Sequence, residues 1–265
     1  MTFSKNKILS EQVARNFSKA AFSYERAAKI QRDAAKKLFD FMQNNLPPNF
    51  TPNMIVELGA GTGFLTKLIV PNYTGTKILI TDISEEMLYI CRRKIASMTG
   101  YTDKWMIEFE LLNFNADFEF PHDCGLVISG LSFQWAENLK DLIEKIYIKI
   151  KNGGFLCFSI ITRGSLIELR QIFDLAAVRY PVPNHYDEEE IQKILSIFPE
   201  QKFETYSVEK RHPNIIQFLS SLKNVGAINP GNSRLTPIEM RKIFKLAPKG
   251  EFKVTYKISN FLCKK

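Results

Sequence analysis

Seven consecutive residues, Glu57-Leu58-Gly59-Ala60-Gly61-Thr62-Gly63, place a carboxylate two positions ahead of a turn with glycine at every second place. A second carboxylate, Asp82, follows nineteen residues after Gly63. The dinucleotide fingerprint G-x-G-x-x-G spaces its last two glycines three apart, so that a pyrophosphate can sit at a helix N-terminus. Here they are two apart. The turn therefore suits a ligand that carries no phosphate, needs close backbone approach to an amino-acid part, and wants an acidic residue near a sulfonium end. S-adenosylmethionine is such a ligand. Glu57 is placed to be that acidic residue, and Asp82 can accept from both ribose hydroxyls. Farther on, in Leu112-Asn113-Phe114, Asn113 is placed to accept from the adenine amino group and the Phe114 backbone N–H to donate to the ring. A turn Asn beside a core Phe fits the same residues, and nearby Asp117 is an alternative acceptor.

These groups need a strand–turn–helix frame, and the chain supplies one. Met54 to Leu58 reads as a buried strand running into the turn, and Phe64 to Ile69 as the helix after it. Lys77 to Asp82 is a second strand, and Ser84-Glu85-Glu86 an N-cap with acidic first-turn residues for a helix to about Ser97. Strands follow at 107–111, 125–129 and 155–160, with a helix at about 139–150 before the last of these. Lys151-Asn152-Gly153-Gly154 reads as that helix's C-terminal turn. Alternation of this kind predicts a doubly wound, Rossmann-like α/β sheet, mostly parallel, with helices on both faces.

Ahead of this core, residues 10–45 read as one helix stopped by Leu46-Pro47-Pro48, with Val13, Phe17, Ala21, Tyr24 and Ala28 near helical spacing. Behind it, helices are expected at about 165–178 and 187–197, a strand at 203–210, helices at 214–225 and 237–245, and a last strand at 252–262, expected to be antiparallel. The whole is predicted to be one domain: residues 1–46 a helical lid, 52–160 the cofactor-binding core, and 161–265 the substrate-side helices and final strands.

At 265 residues the chain buries a core large enough to need no disulfides. Cys91, Cys124, Cys157 and Cys263 form no C-x-x-C pair and have no histidine at ligand spacing, which points away from a zinc or dithiol site. No metal is expected. No signal-peptide or membrane-span pattern is present, so a cytoplasmic location without membrane association is expected. The net charge of +8 favours an acidic partner. The cations are dispersed and no RNA-binding signature accompanies them, so nucleic acid is not the expected partner. Nothing demands more than a monomer.

Three further runs are specific: Arg15-Asn16-Phe17-Ser18-Lys19-Ala20-Ala21-Phe22-Ser23-Tyr24 with Gln31 after it; Ser129-Gly130-Leu131-Ser132-Phe133-Gln134-Trp135; and Gly164-Ser165-Leu166-Ile167-Glu168-Leu169-Arg170. With the glycine turn and Leu222-Lys223-Asn224-Val225-Gly226-Ala227 they span nearly the whole chain. The chain thereby resembles the class I methyltransferases, and more narrowly the malonyl-acyl-carrier-protein O-methyltransferases of biotin synthesis. Asn113 stands where that family usually has Asp, keeping an acceptor oxygen, and Gly130 where it often has Asn.

The resemblance implies methyl transfer from S-adenosylmethionine to the free carboxylate of malonyl-acyl carrier protein or malonyl coenzyme A, an ester that primes pimeloyl formation. It adds Ile83, Met87, Ser129 and Phe17 to the cofactor-binding set of Glu57, Gly59, Gly61, Gly63, Asp82, Asn113 and Phe114. Such a carboxylate is ionised at neutral pH, so the enzyme must position and desolvate it rather than deprotonate it. Arg170 is the first choice to grip the non-attacking oxygen; the alternative is an ion pair with Glu168 or Asp174. Tyr24 is the second catalytic candidate, forming with Phe17 either a lid over the site or core packing. Trp135 fits a substrate-channel wall or the core. Lys223, Arg234, Arg241, Lys242 and Lys245 fit a docking face for the acidic carrier or a solvated surface. Another methyltransferase substrate class, a protein-arginine-modifying relative resembling the complex I assembly factor, and a non-catalytic cofactor-binding protein are the competing readings.

Overall fold

The computed structural model describes residues 2–99, 106–116, 118–182, 185–225 and 235–265. Two helices, α1 (Thr2–Ala27) and α2 (Lys29–Asn45), precede β1 (Met54–Leu58), α3 (Thr66–Asn72), β2 (Lys77–Asp82), α4 (Glu85–Thr99) and β3 (Met106–Leu111). The second half runs β4 (Cys124–Gly130), α5 (Leu139–Lys149), β5 (Ile150–Ile161), α6 (Ile167–Leu175), α7 (Glu188–Ile194), β6 (Glu200–His212), α8 (Ile215–Asn224), α9 (Pro237–Leu246) and β7 (Phe252–Lys264).

The sheet has seven strands in the order β3-β2-β1-β4-β5-β7-β6. β1 to β5 are mutually parallel, and β7 inserts antiparallel between β5 and β6. The expectation of a mostly parallel doubly wound sheet with an antiparallel last strand holds. The order reverses between β2-β1 and β4, the place where open α/β sheets bind ligands beyond their carboxyl ends. Successive residues of β1 face opposite layers: Ile55 packs with Ile78, Leu126 and the α2–α4 side, and Val56 with Leu79, Val127 and the α5 side. Both layers are apolar, so this central strand is buried at every position. A third cluster, from the start of α2 with α6, α8, α9 and β7, roofs the carboxyl end.

Four local readings are corrected. The first helix begins at Thr2 and is not continuous to Asn45, because Ala28 leaves helical geometry (φ −86°, ψ 44°). Ala28 N–H still donates to Tyr24 O at 2.8 Å, and the Arg32 guanidinium to Glu25 O at 2.7 Å, so the break leaves its carbonyls partnered. The break frees α1 to cross onto α4 and α8 while α2 packs on the sheet. Residues 151–154 are not a helix C-terminal turn but the start of β5, where Gly153 N–H donates to Lys265 O at 2.7 Å. Ser165 and Leu166 form a turn ahead of α6, which ends at Leu175 rather than Val178. The helix at 187–197 is α7 followed by a 3-10 turn, Leu195–Ile197.

Among the described residues the four cysteines are buried and unpaired, and no helix is long and apolar enough to cross a membrane. Asp117, Gly226, Ala227 and Arg234 lie outside the described residues.

Candidate active site

The ends of β1 and β2 build the first half of the site together. Thr81 O accepts from Gly59 N–H and Ala60 N–H at 3.0 and 2.9 Å, which folds the glycine turn back over β2. Asp82 Oδ2 accepts from Gly61 N–H at 2.7 Å, and Oδ1 from Ser84 N–H at 2.9 Å. Ser84 Oγ in turn accepts from Met87 N–H at 3.2 Å, the N-cap expected for α4. One carboxylate thus ties together the turn, the strand end and the next helix.

The glycines divide into two jobs. Gly59, Gly61 and Gly63 all have positive φ (73°, 56° and 84°). A Cβ on Gly61 would meet nothing within 4 Å, since it faces open space in a cavity of about 850 Å³. A Cβ on Gly59 would come 2.5 Å from Ser132 Cβ, and one on Gly63 2.7 Å from Cys91 Sγ. Gly63 therefore lets the turn pack against α4 and does not line the cavity.

Of the expected cofactor residues, Phe17, Glu57, Gly59, Gly61, Asp82, Ile83, Met87, Asn113 and Phe114 all line this cavity. Asn113 both lines it and closes a turn, its Oδ1 accepting from Asn115 N–H at 3.0 Å. Ser129 does not reach the wall: it donates to Leu58 O at 2.9 Å and braces Ser132, which does. The fit to S-adenosylmethionine is direct. The cavity offers a side-chain-free backbone face at Gly61, two buried carboxylates, and apolar walls from Ile83, Met87, Leu112 and Phe114.

Burial pushes the Glu57 carboxyl up to about 7, against the Thr66 hydroxyl that donates to it at 2.7 Å, and the Asp82 charge adds to the rise. Burial likewise pushes Asp82 up to about 6, opposed by the backbone N–H groups of Ser84, Gly61 and Ile83. Two desolvated carboxylates facing one cavity favour a cation or hydroxyl donors there.

α1 covers the cavity. Glu25 accepts from the Thr62 hydroxyl and from Lys94 Nζ at 2.8 Å, and Lys94 also donates to Thr62 O at 2.6 Å. Tyr24 stacks on Phe64 with centroids 6.1 Å apart, and Phe17 meets Trp135 edge-on at 5.6 Å. Burial first, then the Asp82 and Glu25 carboxylates, raise the Tyr24 pKa, so its hydroxyl stays protonated.

A second cavity, of about 600 Å³, shares Phe17, Tyr24, Gln31, Leu131 and Trp135 with the first. Its other walls come from Gln134, Ile161, Leu166, Val182, His185, Leu222, Val225 and Tyr256. The lid and core readings of Phe17, Tyr24 and Trp135 meet here, since all three line both cavities while packing on neighbouring rings. Arg170 lines neither. Its guanidinium lies 4.2 Å from the Tyr180 ring centroid, and its charge acts on His185 from behind the wall. Glu168 is engaged elsewhere, accepting from Thr255 N–H at 3.1 Å and from the Thr255 hydroxyl at 2.6 Å.

Sequence reasoning passed over Ser132, Gln134 and His185. The first two lie inside a quoted run, yet nothing in their spacing sets them apart. His185 has no local signal at all.

A methyltransferase-domain family model matches residues 56–156, from β1 into β5. That stretch is a methyltransferase domain, and the sheet around it has the class I methyltransferase fold. In sequence it is similar to malonyl-[acyl-carrier protein] O-methyltransferases. That of Neorickettsia risticii is 27% identical over 253 residues, covering 95% of each chain. Others are 25–28% identical. Among solved structures, a candidate methyltransferase of Bacillus halodurans superposes with a TM-score of 0.61 at 12% identity, over 88% of this chain and 98% of the other. Phosphoethanolamine N-methyltransferase 2 of Haemonchus contortus, solved with phosphomonomethylethanolamine and S-adenosylhomocysteine, gives 0.54 at 14% identity, over 86% and 52%.

Proposed function

We propose that this enzyme methylates the free carboxylate of a malonyl thioester, carried on acyl carrier protein or coenzyme A, giving the malonyl methyl ester that primes pimeloyl formation in biotin synthesis. The observation that carries the reading is a pair of adjacent cavities. One is suited to the cofactor, and the other lies beside it, sharing Phe17, Tyr24, Gln31, Leu131 and Trp135 as walls. Full-length similarity to malonyl-[acyl-carrier protein] O-methyltransferases supports the choice of acceptor.

When bound, S-adenosylmethionine supplies a methyl group on a cationic sulfur. Glu57, Asp82, Asn113 and the Gly61 backbone would hold it. The acceptor carboxylate is already ionised, so no general base is required. Its charge disappears as the ester forms, and a wall that gripped it with a full cation would stabilise the starting state more than the transition state. Tyr24, kept protonated where the cavities meet, offers one neutral O–H donor to the non-attacking oxygen. Phe17 and Trp135 exclude water around it. Arg170 contributes at one remove, through its charge behind His185. The exposed cations Lys223, Arg241, Lys242 and Lys245 on α8 and α9 offer the acidic carrier protein a docking face.

The test is intact-mass spectrometry of malonyl-acyl carrier protein incubated with the enzyme and S-adenosylmethionine. A gain of roughly 14 Da, the mass of one methylene, that disappears with acetyl-acyl carrier protein supports the reading, given that function is decided by the site rather than the fold. No gain alongside measurable cofactor binding sinks it.

A further inference from the structure

Among the described residues the second cavity, unlike the first, has no Asp, Glu, Lys or Arg in its wall. Its lining is apolar apart from Gln31, Gln134, His185, the Trp135 indole N–H and the tyrosine hydroxyls. Two of those groups have a buried atom with no hydrogen-bond partner among the described residues: Gln134 Oε1 and His185 Nδ1. Gln134 is oriented by its own Nε2, which donates to Leu131 O at 2.5 Å, so the amide presents its oxygen as the unsatisfied end. Burial, with the nearby Arg170 charge adding to it, pushes the His185 imidazole down to about 4, leaving it neutral. An orphaned buried polar atom costs about 1–3 kcal/mol. Two in one wall, beside a cofactor cavity, point to a ligand that completes them.

The backbone marks the same place. Leu131 and Leu166, both in this wall, are left-handed with φ of 49° and 55°, a conformation disfavoured for a side chain branched like leucine's. Each is held there by hydrogen bonds. Leu131 N–H donates to Ser159 O and Oγ at 3.1 and 3.0 Å, and Leu166 N–H to Thr255 O at 2.7 Å. Strain retained in the wall of a cavity is characteristic of a binding site.

A carboxylate does not belong deep in an uncharged, apolar cavity, because its desolvation would go uncompensated. Its place is where the cavities meet, beside the cationic sulfur. What remains of a malonyl thioester beyond that point is neutral: a thioester carbonyl, which only accepts, and an arm whose first polar group is an amide, which can donate. Resting on the function proposed above, we infer that the second cavity is the subsite for this arm. His185 Nδ1–H donates to the thioester carbonyl, and Gln134 Oε1 accepts the first amide N–H of the arm. The enzyme then reads its acceptor at both ends, and an acid lacking the amide arm is a poor substrate.

The test measures kcat and KM with malonyl-N-acetylcysteamine thioester, which carries the amide, and with S-ethyl monothiomalonate, which lacks it. Wild type, Gln134→Met, His185→Phe and His185→Asn are compared, each first checked for unchanged S-adenosylhomocysteine affinity by calorimetry. Gln134→Met is expected to raise KM about tenfold for the amide-bearing thioester and to leave the amide-free one unaffected. His185→Phe raises KM for both, and His185→Asn, which keeps a polar group near the Nδ1 position, recovers most of the loss. Wild-type turnover of the amide-bearing thioester, with KM unchanged in Gln134→Met and His185→Phe, overturns the assignment while the proposed function stands. Absence of wild-type turnover on the amide-bearing thioester while malonyl-acyl carrier protein is methylated overturns the subsite assignment alone, and absence on the carrier-bound substrate as well overturns both.

Discussion

The two cavities share five wall residues but solve opposite electrostatic problems. The first has its carboxylates buried, with Asp82 tied by backbone donors and Glu57 by Thr66, waiting for a cation and hydroxyls. The second carries no formal charge among the described residues, and two of its polar atoms, Gln134 Oε1 and His185 Nδ1, have no partner there. The difference suits the two partners of the charge-annihilating methyl transfer proposed above. One side must attract a cation, while the other must hold an anion's neutral arm without quenching the anion. Arg170 follows the same logic, because its charge is turned onto the Tyr180 face and kept behind the wall.

Three measurements would break or sharpen this contrast. The largest effect is expected in the first cavity. Gly61→Val would place a branched side chain into the open space and strain a left-handed residue, so S-adenosylmethionine affinity should fall about a hundredfold. Calorimetry with unchanged affinity would show that the cavity is not the cofactor site. Arg170→Ala should lower kcat about tenfold while leaving cofactor affinity alone, as expected for a charge acting beyond the cofactor. Normal turnover would remove Arg170 from the mechanism.

The smallest effect is a pH dependence. A carboxyl whose pKa is raised by folding stabilises the native state below its unfolded value, here about 4.5 for Glu57, and that contribution is lost as pH rises through about 7. The melting temperature of cofactor-free Glu57→Gln should therefore exceed that of wild type by a margin that grows between pH 5 and 8, on the order of 5 °C. Comparing the two proteins cancels His185, whose lowered pKa works in the opposite direction below pH 6.5. A margin that stays flat by thermal melts would mean that Glu57 is not desolvated.

Much of the first cavity can be read in the chain because its demands are local. A turn that needs positive φ must use glycine, a strand end that feeds a helix must offer a carboxylate and an N-cap, and these fall within one contiguous strand–turn–helix–strand stretch. Even there, chain order does not tell Gly61, which faces the open cavity, from Gly63, which faces Cys91, since both satisfy the same backbone requirement. Ser129 and Ser132 are equally indistinct, because only packing decides which of two serines three apart reaches the wall.

The amino-acid sequence by itself determined the alternation of strands and helices, the parallel sheet and the glycine turn of the first cavity, because short continuous apolar runs and glycine geometry act over a few residues. Tertiary structure alone decided the break at Ala28, the entry of residues 151–154 into β5, and the second cavity. That cavity gathers side chains from α1, α2, the segment between β4 and α5, β5, the turn before α6, the segment between α6 and α7, α8 and β7. Contacts made between elements so far apart in the chain leave no periodicity or spacing, so the fold has to bring His185 and Gln134 together before either has a role.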